Sequence, residues 1–383
     1  MLFLPFCPYS ECANHTALPI TGRWYHIAGS YESKVNGTVT RFICLGCGRT
    51  FSEQTFRLDY FVKRKLSYRR IFNHLTNCGG IRATARLLGV SHQAISNRLG
   101  RLARQSMALH ADLLSAFTPN ESLVTDGFES FVKDQYQPNN IHLLVGKNSQ
   151  FLFTYDYAHL RRKGRMTDQQ KEERRRRERQ YIRERRTISQ SFQHIADMVE
   201  QFALRKYSTS IGGARKGVCL YSDEKFEYQE VLKHSQVLQE LKRRTMFFHF
   251  TISSRLVRSV RNPLFAVNYF DREIRKDNAD HVRETLRFSR NVNSSLERLA
   301  VYQLYHNFFK PYRVDDIELR ESSHAEIAGI GGSRLQQGLE NIFSMRKFFT
   351  HVRLNWSQML VWARMVGTLD KNDGVFWPQY VWM

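Results

Sequence analysis

Apolar and polar positions along this chain follow two different periods. Short apolar runs bounded by polar residues predict strands, and they occupy residues 123–132, 141–146, 151–157 and 217–223. Apolar residues repeated at helical spacing predict amphipathic helices over residues 188–202, 296–309, 343–352 and 356–366. Since the first three strands follow one another closely, we expect consecutive hairpins. The pattern as a whole predicts an α+β protein.

Two of the predicted strands carry an aspartate at their ends, Asp126 and Asp223, and a third acid, Asp271, lies on a probable helix over 268–275. Adjacent strands can hold their terminal acids side by side, and a helix packed at that edge would add the third. Carboxylates suit hard ions such as magnesium, and an acid cluster of this kind is typical of two-metal phosphoryl transfer. Each aspartate alone could be a cap or a turn residue, so the prediction rests on the combination. Arg275, one helical turn from Asp271, is placed to contact a phosphate.

The charge of the chain indicates the kind of partner. Among 383 residues, 58 Lys and Arg oppose 36 Asp and Glu, which gives a net charge of +22. Such an excess predicts a polyanion, and nucleic acid is favoured over a membrane surface. No apolar run is long enough to span a bilayer, and the first residues are too short and uncharged for a signal peptide. We therefore expect a cytoplasmic protein that contacts DNA.

Four of the six cysteines are paired in the N-terminal segment. Cys7 and Cys12 form a C-x4-C pair, and Cys44 and Cys47 form a C-x2-C pair after a span of 31 residues. Four thiolates at this spacing predict a closed structural zinc site, with the intervening residues forming the strands of a zinc ribbon. His15 and His26 are possible rival ligands. The other two cysteines, Cys78 and Cys219, have no partner at ligand spacing and are expected in the core.

A helix-turn-helix pattern follows the cysteines. Residues 81–88 form a short amphipathic helix, Gly89 supplies the turn, and Ser91 precedes a second helix over 92–102. Apolar positions of the second helix face the first. The residues expected to point outward and to reach bases or phosphates are His92, Gln93, Ser96, Asn97 and Arg98. The alternative is a plain helical hairpin with a solvated face.

A charge-dense stretch separates the predicted third strand from the next amphipathic helix. Residues 161–187 hold thirteen Lys and Arg against five Asp and Glu, and almost no apolar residues. Glu and Arg recur at neighbouring turns, so the stretch is expected to form a solvated helix held by its own ion pairs. The excess of arginine also permits an arm that follows DNA phosphates.

Several blocks, in this order, resemble those of bacterial insertion-sequence transposases of the DDE type, closest to the IS-one-like group. Residues 126–132 (DGFESFV) resemble the first catalytic block, and 221–223 (YSD) with Tyr228 resemble the second. Further resemblance lies in residues 285–290 (TLRFSR), 305–313 (YHNFFKPYR) and 324–330 (HAEIAGI). The paired cysteines and the helix-turn-helix belong to the same arrangement, so the likeness covers most of the chain.

The resemblance implies a DNA transposase with an RNase H-like catalytic domain. It would bind terminal inverted repeats as a homodimer or larger assembly, and it would cleave and join double-stranded DNA with magnesium or manganese at Asp126, Asp223 and Asp271. A nucleoid-associated bacterial location follows from this role. The expected parts are a zinc ribbon, a helix-turn-helix domain, a catalytic domain with an Arg-rich insertion at about 160–210, and a C-terminal helical extension, over 1–60, 61–115, 118–320 and 321–383.

The identity of the third acid and the activity itself stay open. The family usually has a glutamate as third acid, and Glu273, Glu284 and Asn268 are rivals of Asp271. The alternative function is a transposase-derived DNA-binding regulator with an inactive site, and a nuclease that cuts without joining is a third possibility. The sequence does not specify the recognised DNA, the target preference, or a copying or excising mechanism.

Overall fold

A computed structural model describes residues 4–17, 22–209, 217–282, 288–313 and 321–372. Helices and strands are mixed along the chain, which confirms the α+β class. Within the described ranges, no helix is long and apolar enough to cross a bilayer. The predicted acid Glu284, residues 285–287 of the block 285–290 and residues 373–383 of the C-terminal extension lie outside the described residues.

The strands form two separate sheets. The N-terminal sheet has the order β1-β2-β3 and the larger sheet has the order β6-β5-β4-β7-β8. The strands are β1 (Tyr25–Ser33), β2 (Gly37–Cys44), β3 (Thr50–Ser52), β4 (Leu123–Phe131), β5 (Pro138–Gly146), β6 (Leu152–His159), β7 (Val218–Ser222) and β8 (Phe247–Thr251).

Thirteen α-helices lie within the described residues. They are α1 (Ala13–Thr16), α2 (Tyr68–Thr76), α3 (Ile81–Leu87), α4 (His92–Leu114), α5 (Asp168–Arg179), α6 (Ile188–Thr209), α7 (Phe226–His234), α8 (Gln236–Arg243), α9 (Phe265–Asp277), α10 (Val292–Phe308), α11 (His324–Ile327), α12 (Ser333–Asn341) and α13 (Trp356–Trp362). The predicted helix over 343–352 is wrong, because that segment holds only a short 3-10 turn, Phe349–His351, between extended residues. The backbone of this segment is not helical, although its aromatic side chains pack against other elements.

The larger sheet combines two kinds of strand pairing. Strands β4, β5 and β6 pair antiparallel, as the predicted hairpins require, whereas β7 runs parallel to β4 and β8 runs parallel to β7. The parallel connections pass through helices, since β6 leads through α5 and α6 to β7, and β7 leads through α7 and α8 to β8. The sheet is therefore covered by helices along its length.

Helices cover both faces of this sheet. Successive side chains of a strand point to opposite faces, and on β6 the carboxylate of Asp156 pairs with His194 of α6, whereas the hydroxyl of Tyr155 donates to the carbonyl of Leu296 in α10 at 3.2 Å. Helix α6 buries Phe192, Ile195, Val199 and Phe202, which follow the predicted helical spacing. The burial of aromatic residues on both faces accounts for much of the hydrophobic stabilisation.

Helix α4 belongs to two parts of the molecule. Its first half packs on α2 and α3 through Ile95, Leu99 and Leu102, which are fully buried, as predicted for the second helix of the motif. The helix then continues twelve residues past the predicted end at 102, to Leu114, and Ser106 Oγ donates to the carbonyl of Ala300 in α10 at 2.5 Å. One continuous apolar core therefore runs from the helix-turn-helix into the sheet.

The N-terminal sheet has a smaller core of its own. Trp24 stacks on Phe51 at a centroid distance of 5.5 Å, and Phe6 contacts Phe348 edge to face at 5.0 Å. The contact with Phe348 joins the N-terminal sheet to the C-terminal part of the chain. The expectation that Cys78 lies in the core is wrong: Cys78 is exposed, in a left-handed turn, and its thiol donates to the carbonyl of Lys276 at 2.7 Å.

Candidate functional site

Strands β4 and β7 bring Asp126 and Asp223 together. Val124 pairs with Tyr221 in the parallel register, so Asp126 and Asp223, each two residues further along, lie opposite one another. Asp223 directly follows the last residue of β7, as predicted. The expectation that Asp126 ends its strand is wrong, because β4 continues to Phe131 in its pairing with β5. Strand β7 ends beside Asp126, so the edge of β4 that faces β7 is unpaired at this point. The carboxylate of Asp126 is therefore accessible, as it would be at the end of a strand.

The close approach of β4 to β5 beside Asp126 depends on glycine. A Cβ atom on Gly127 would lie 2.3 Å from Oδ1 of Asn140, so a larger residue cannot be accommodated without displacing Asn140. The backbone amide of Gly127 donates to Oδ1 of Asp126 at 2.6 Å. Gly127 thus fixes both the strand and the orientation of the neighbouring carboxylate.

Helix α9 adds Asp271 to the same face of the sheet. Phe128, two residues after Asp126, shares its face of β4, and the guanidinium of Arg275 in α9 lies 4.8 Å from the centre of the Phe128 ring. Asp271 is one turn before Arg275 on the same side of the helix. Its Oδ1 is buried without a hydrogen-bond partner, an acceptor that a cation or donor would satisfy.

Burial and the charge of Asp126 affect the protonation of the other two carboxylates. Burial, followed by the negative charge of Asp126, raises the pKa of Asp271 well above its usual range, against the lowering effects of Arg275 and Lys225. Burial and then Asp126 also raise the pKa of Asp223, and Lys225 opposes this shift. A divalent cation beside these carboxylates would stabilise their ionised forms.

A lysine lies between the two strand-borne acids. Nζ of Lys225 is 3.6 Å from Oδ1 of Asp126 and 3.6 Å from Oδ2 of Asp223. It also donates to the hydroxyl of Tyr228 at 3.3 Å. Lys225 is absent from the site predicted from the sequence, and its position two residues after Asp223 is the one signal that could have indicated it.

Tyr228 lies beneath this group of charges. Its ring is buried and stacks on Phe192 of α6 at a centroid distance of 4.1 Å. Burial and then the charges of Asp126, Asp223, Glu227 and Asp271 raise the pKa of its hydroxyl. The negative charges of all three aspartates therefore act on this one hydroxyl.

The rivals of Asp271 that the structure describes make contacts away from Asp126 and Asp223. Glu273 is buried and pairs with Lys310, which also binds Asp277 at 2.6 Å. The side-chain amide of Asn268 donates to the carbonyl of Leu264 within its own helix at 2.8 Å. Among the described acids of α9, Asp271 is therefore the one whose charge is coupled to Asp126 and Lys225.

The four N-terminal cysteines form a compact group. Sγ of Cys7 lies 3.8 Å from Sγ of Cys47, Sγ of Cys12 lies 3.6 Å from Sγ of Cys44, and all four sulfur atoms are within 4.8 Å of one another. This is the arrangement that a tetrahedral metal ion requires, so the cluster could bind zinc. A Cβ atom on Gly46 would lie 2.7 Å from the amide nitrogen of Asn14, which explains the glycine in this knuckle.

The surroundings of Cys44 favour its thiolate. Burial raises the pKa of Cys44, but hydrogen bonds from Asn14 and from the backbone amides of Cys47 and Gly46 outweigh burial and lower it to about 6. The rival ligand His15 is directed away from the sulfur atoms: its Nδ1 contacts the carbonyl of Cys7 at 2.6 Å and its Nε2 contacts Oγ1 of Thr350 at 2.7 Å. His26 is exposed on β1.

The aspartates are more widely spaced than the cysteines. In the part of the chain that the structure describes, the cysteines are the one group of three or more His, Cys, Asp or Glu residues whose ligand atoms all lie within 4.8 Å of each other. Asp126 and Asp223 share Lys225, but the oxygen atoms of the three aspartates do not converge to that degree. A metal ion at Asp126, Asp223 and Asp271 would therefore require a local adjustment of these side chains.

Most of the predicted outward face of the helix-turn-helix is accessible. Oγ of Ser91 accepts from the amide of Ala94 at 3.2 Å and caps α4, as predicted. His92, Gln93 and Asn97 are exposed, with Gln93 donating to Asn97 at 2.9 Å, and Ser96 is partly exposed. These side chains occupy the start of α4.

Arg98 does not belong to that outward face. It is buried, and its guanidinium donates to the carbonyls of Ala94 at 3.3 Å and Arg64 at 3.0 Å. The expectation that Arg98 points outward is wrong, because its long side chain bends back to cap carbonyl groups of the helix and of the segment before α2. Arg98 thus joins α4 to residues 64–66 instead of extending from it.

The charge-dense stretch contains α5 and its ion pairs, as predicted. Glu173 pairs with Arg176 at 2.7 Å and with Arg177 at 2.6 Å, and no residue of α5 is buried. The helix is nevertheless attached to the connection between β4 and β5, since Arg177 also pairs with Asp134 and lies 5.1 Å from the ring of Tyr136. Arg175 and Arg179 remain more than three-fifths exposed.

Comparisons with known proteins do not indicate a function for this chain. No family model matches the sequence, and no curated protein is significantly similar to it.

Proposed function

We propose that this protein is a DNA transposase of an insertion sequence, of the DDE type, with an RNase H-like catalytic domain. The observation that carries the proposal is the grouping of Asp126, Asp223 and Asp271, from β4, the end of β7 and α9, with charges coupled to one another. A sheet of three antiparallel strands extended by two parallel strands supports the RNase H-like assignment.

The rest of the chain supports DNA as the substrate. The net charge of +22 favours binding to a polyanion, and α4 offers His92, Gln93 and Asn97 at its accessible start. In this proposal α3 and α4 bind the terminal inverted repeats, and the zinc ribbon supports the same contact. Cleavage at two ends requires them to be brought together, which implies at least a homodimer.

The proposed chemistry divides between the residues and the ions they would hold. Magnesium or manganese bound at the three aspartates would activate the attacking hydroxyl and stabilise the leaving oxygen. The protein supplies the ligands: β4 and β7 fix Asp126 and Asp223 in register, and α9 brings the unpaired Oδ1 of Asp271. Arg275, held on the Phe128 ring, is available to orient a phosphate.

The test uses a supercoiled plasmid carrying the DNA that flanks the coding region on both sides. With magnesium, wild-type protein is expected to cleave at the ends and to join the freed 3′ hydroxyl groups to target DNA. Asp126→Asn is expected to bind the ends normally and to lose cleavage by a factor of about a thousand or more, because one metal ligand is lost. Asp197→Asn is the matched control, since Asp197 is exposed on α6 and bonds only to Gln193 among the contacts described.

The outcomes separate three functions. End binding without cleavage by the wild type would favour the DNA-binding regulator, for which the wide spacing of the aspartates is the favouring observation. Cleavage without joining would favour a nuclease. Cleavage by Asp126→Asn at the wild-type rate would show that the catalytic site lies elsewhere.

A further inference from the structure

Lys225 is held at the acid group by its backbone as well as by its side chain. It directly precedes α7, and its backbone amide donates to Oδ1 of Asp223 at 3.2 Å. Its ammonium group, at the other end of the side chain, lies 3.6 Å from the second oxygen of the same carboxylate. Lys225 therefore contacts both oxygen atoms of Asp223, and the short segment from residue 223 to residue 225 forms a closed loop around the charge.

The ammonium group also reaches the other strand. It lies 3.6 Å from Oδ1 of Asp126 and 5.1 Å from the centre of the Tyr228 ring. Two carboxylates, a phenol hydroxyl and an aromatic ring thus surround one positive charge. These groups attract a cation, and in this structure the ammonium group of Lys225 is that cation.

The ammonium group of Lys225 is nevertheless able to move away from the two carboxylates. Its side chain is 29% exposed, about twice the exposure of Asp126 and Asp223 at 15% and 14%. Lysine side chains are flexible and hold a carboxylate as a point charge without the fixed bidentate geometry of arginine. The contact is therefore one that a more highly charged cation can displace.

We propose that Lys225 is an internal counter-ion that competes with divalent metal ions for the Asp126 and Asp223 pair. The ammonium group occupies Oδ1 of Asp126 and Oδ2 of Asp223, so a metal ion held by the same two carboxylates would have to displace it. Displacement of Lys225 would leave both carboxylates available to a metal ion. The inference rests on the proposed metal site but not on transposition.

The test is the affinity of the zinc-loaded protein for Mn²⁺, measured by the electron paramagnetic resonance signal of free Mn²⁺. Lys225→Met keeps much of the side-chain length and removes the charge, and it is expected to bind Mn²⁺ about tenfold more tightly, since two partly exposed ion pairs no longer compete. Lys225→Gln is expected to behave in the same way. Lys225→Arg keeps the charge and is expected to bind as the wild type does.

Two controls identify the site. Lys233→Met removes an exposed lysine from the same helix, and it is expected to leave the affinity unchanged. In an Asp126→Asn background, Lys225→Met is expected to give no gain. Melting temperatures measured without added Mn²⁺ show that each variant is folded, and Lys225→Met is expected to melt below the wild type and to recover when Mn²⁺ is added.

The inference is overturned if Lys225→Met and Lys225→Gln bind Mn²⁺ no more tightly than the wild type, or if the gain persists without Asp126. Its failure differs from failure of the proposed function. Tighter Mn²⁺ binding by Lys225→Met, with no DNA cleavage by the wild type, would support the counter-ion and reject the transposase. DNA cleavage by the wild type, together with unchanged Mn²⁺ affinities in the Lys225 variants, would support the transposase and reject the counter-ion.

Discussion

The side-chain amide of Asn307 donates a hydrogen bond to Nε2 of His110 at 2.9 Å. Nδ1 of His110 lies 2.8 Å from the carbonyl of Ser106, to which it donates, so the imidazole is neutral and in a fixed tautomer. Oδ1 of Asn307 in turn accepts from the amide of Leu152 in β6 at 2.9 Å. A chain of hydrogen bonds therefore joins α4, α10 and the sheet, and it requires an uncharged histidine.

Acid is expected to destabilise the fold through this and other buried histidines. Burial lowers the pKa of His110 from 6.5 to about 4, and burial likewise lowers the pKa values of His142, His159, His249 and His324. The unfolded chain binds more protons than the folded one below pH 6.5, so the stabilisation is complete above pH 6.5 and is lost as the pH falls towards 4. Each histidine contributes a slope of up to about 1.4 kcal/mol per pH unit.

Urea unfolding at a series of pH values measures this slope. His110→Gln is expected to reduce the slope by up to the contribution of one proton, because glutamine does not titrate. Equal slopes for the variant and the wild type between pH 6.5 and about 4 would contradict the assignment of a low pKa to His110.

Removal of one cysteine is expected to abolish metal binding by the N-terminal cluster. Cys44→Ser loses the sulfur nearest to Cys12, so the zinc content is expected to fall from one ion per chain to none, with loss of the thiolate-to-metal absorption when cobalt replaces zinc. Cys78→Ser, which changes an exposed thiol, is the control and is expected to keep the metal. A Cys44→Ser protein that retains stoichiometric zinc would contradict the four-sulfur site.

Arg98 and Asn97 are neighbours with opposite expected roles. Arg98→Ala removes the side-chain donor to the carbonyls of Arg64 and Ala94 and is expected to lower the free energy of unfolding by about 2 kcal/mol. Asn97→Ala is expected to change the free energy of unfolding by less than about 0.5 kcal/mol. It should instead weaken binding to the flanking DNA about tenfold, the effect of a lost base contact. Urea unfolding and fluorescence anisotropy distinguish the two, and unchanged DNA affinity in Asn97→Ala would argue against α4 as the reading helix.

The exposed arginines of α5 are expected to contribute to the salt dependence of DNA binding. Arg175 and Arg179 both pair with Glu172 and are 63% and 68% exposed. Replacing both by glutamine is expected to reduce the slope of log affinity against log salt concentration by about 1 to 2. Arg243→Gln on α8, where an arginine that is 79% exposed pairs with Glu240, is the matched control. An unchanged slope in the double variant would show that α5 is only a solvated helix.

Local patterns in the sequence predicted the parts of the structure that depend on near neighbours. The helical spacing of Ile95, Leu99 and Leu102 specified their burial, and the cap at Ser91 specified the start of α4. The paired spacing of the cysteines predicted their cluster, because each pair is a short local turn. For Asp126 and Asp223, an apolar run followed by an acid indicated neighbouring strands.

Contacts between distant segments could not be obtained in this way. Arg98 lies at the border of the buried and exposed faces of α4, and its inward direction depends on the carbonyl of Arg64, which helical periodicity does not place. The contact of Lys225 with Asp126 joins residues almost a hundred positions apart. The aromatic residues of the non-helical segment before α13 pack on different parts of the molecule, Phe348 on the N-terminal core, Phe343 on Phe72 and Phe349 on Trp362, and their spacing imitated a helix.

The length of α4 has a mechanical consequence for the proposed reaction. Its 23 residues extend about 34 Å, close to one turn of DNA, and the helix is anchored in the central core at its far end. A double helix gripped at the start of this rod would be held at a set distance from the carboxylates. The length of α4 would then determine where the DNA is cut, and an added or deleted turn of α4 would move the cleavage position along the DNA.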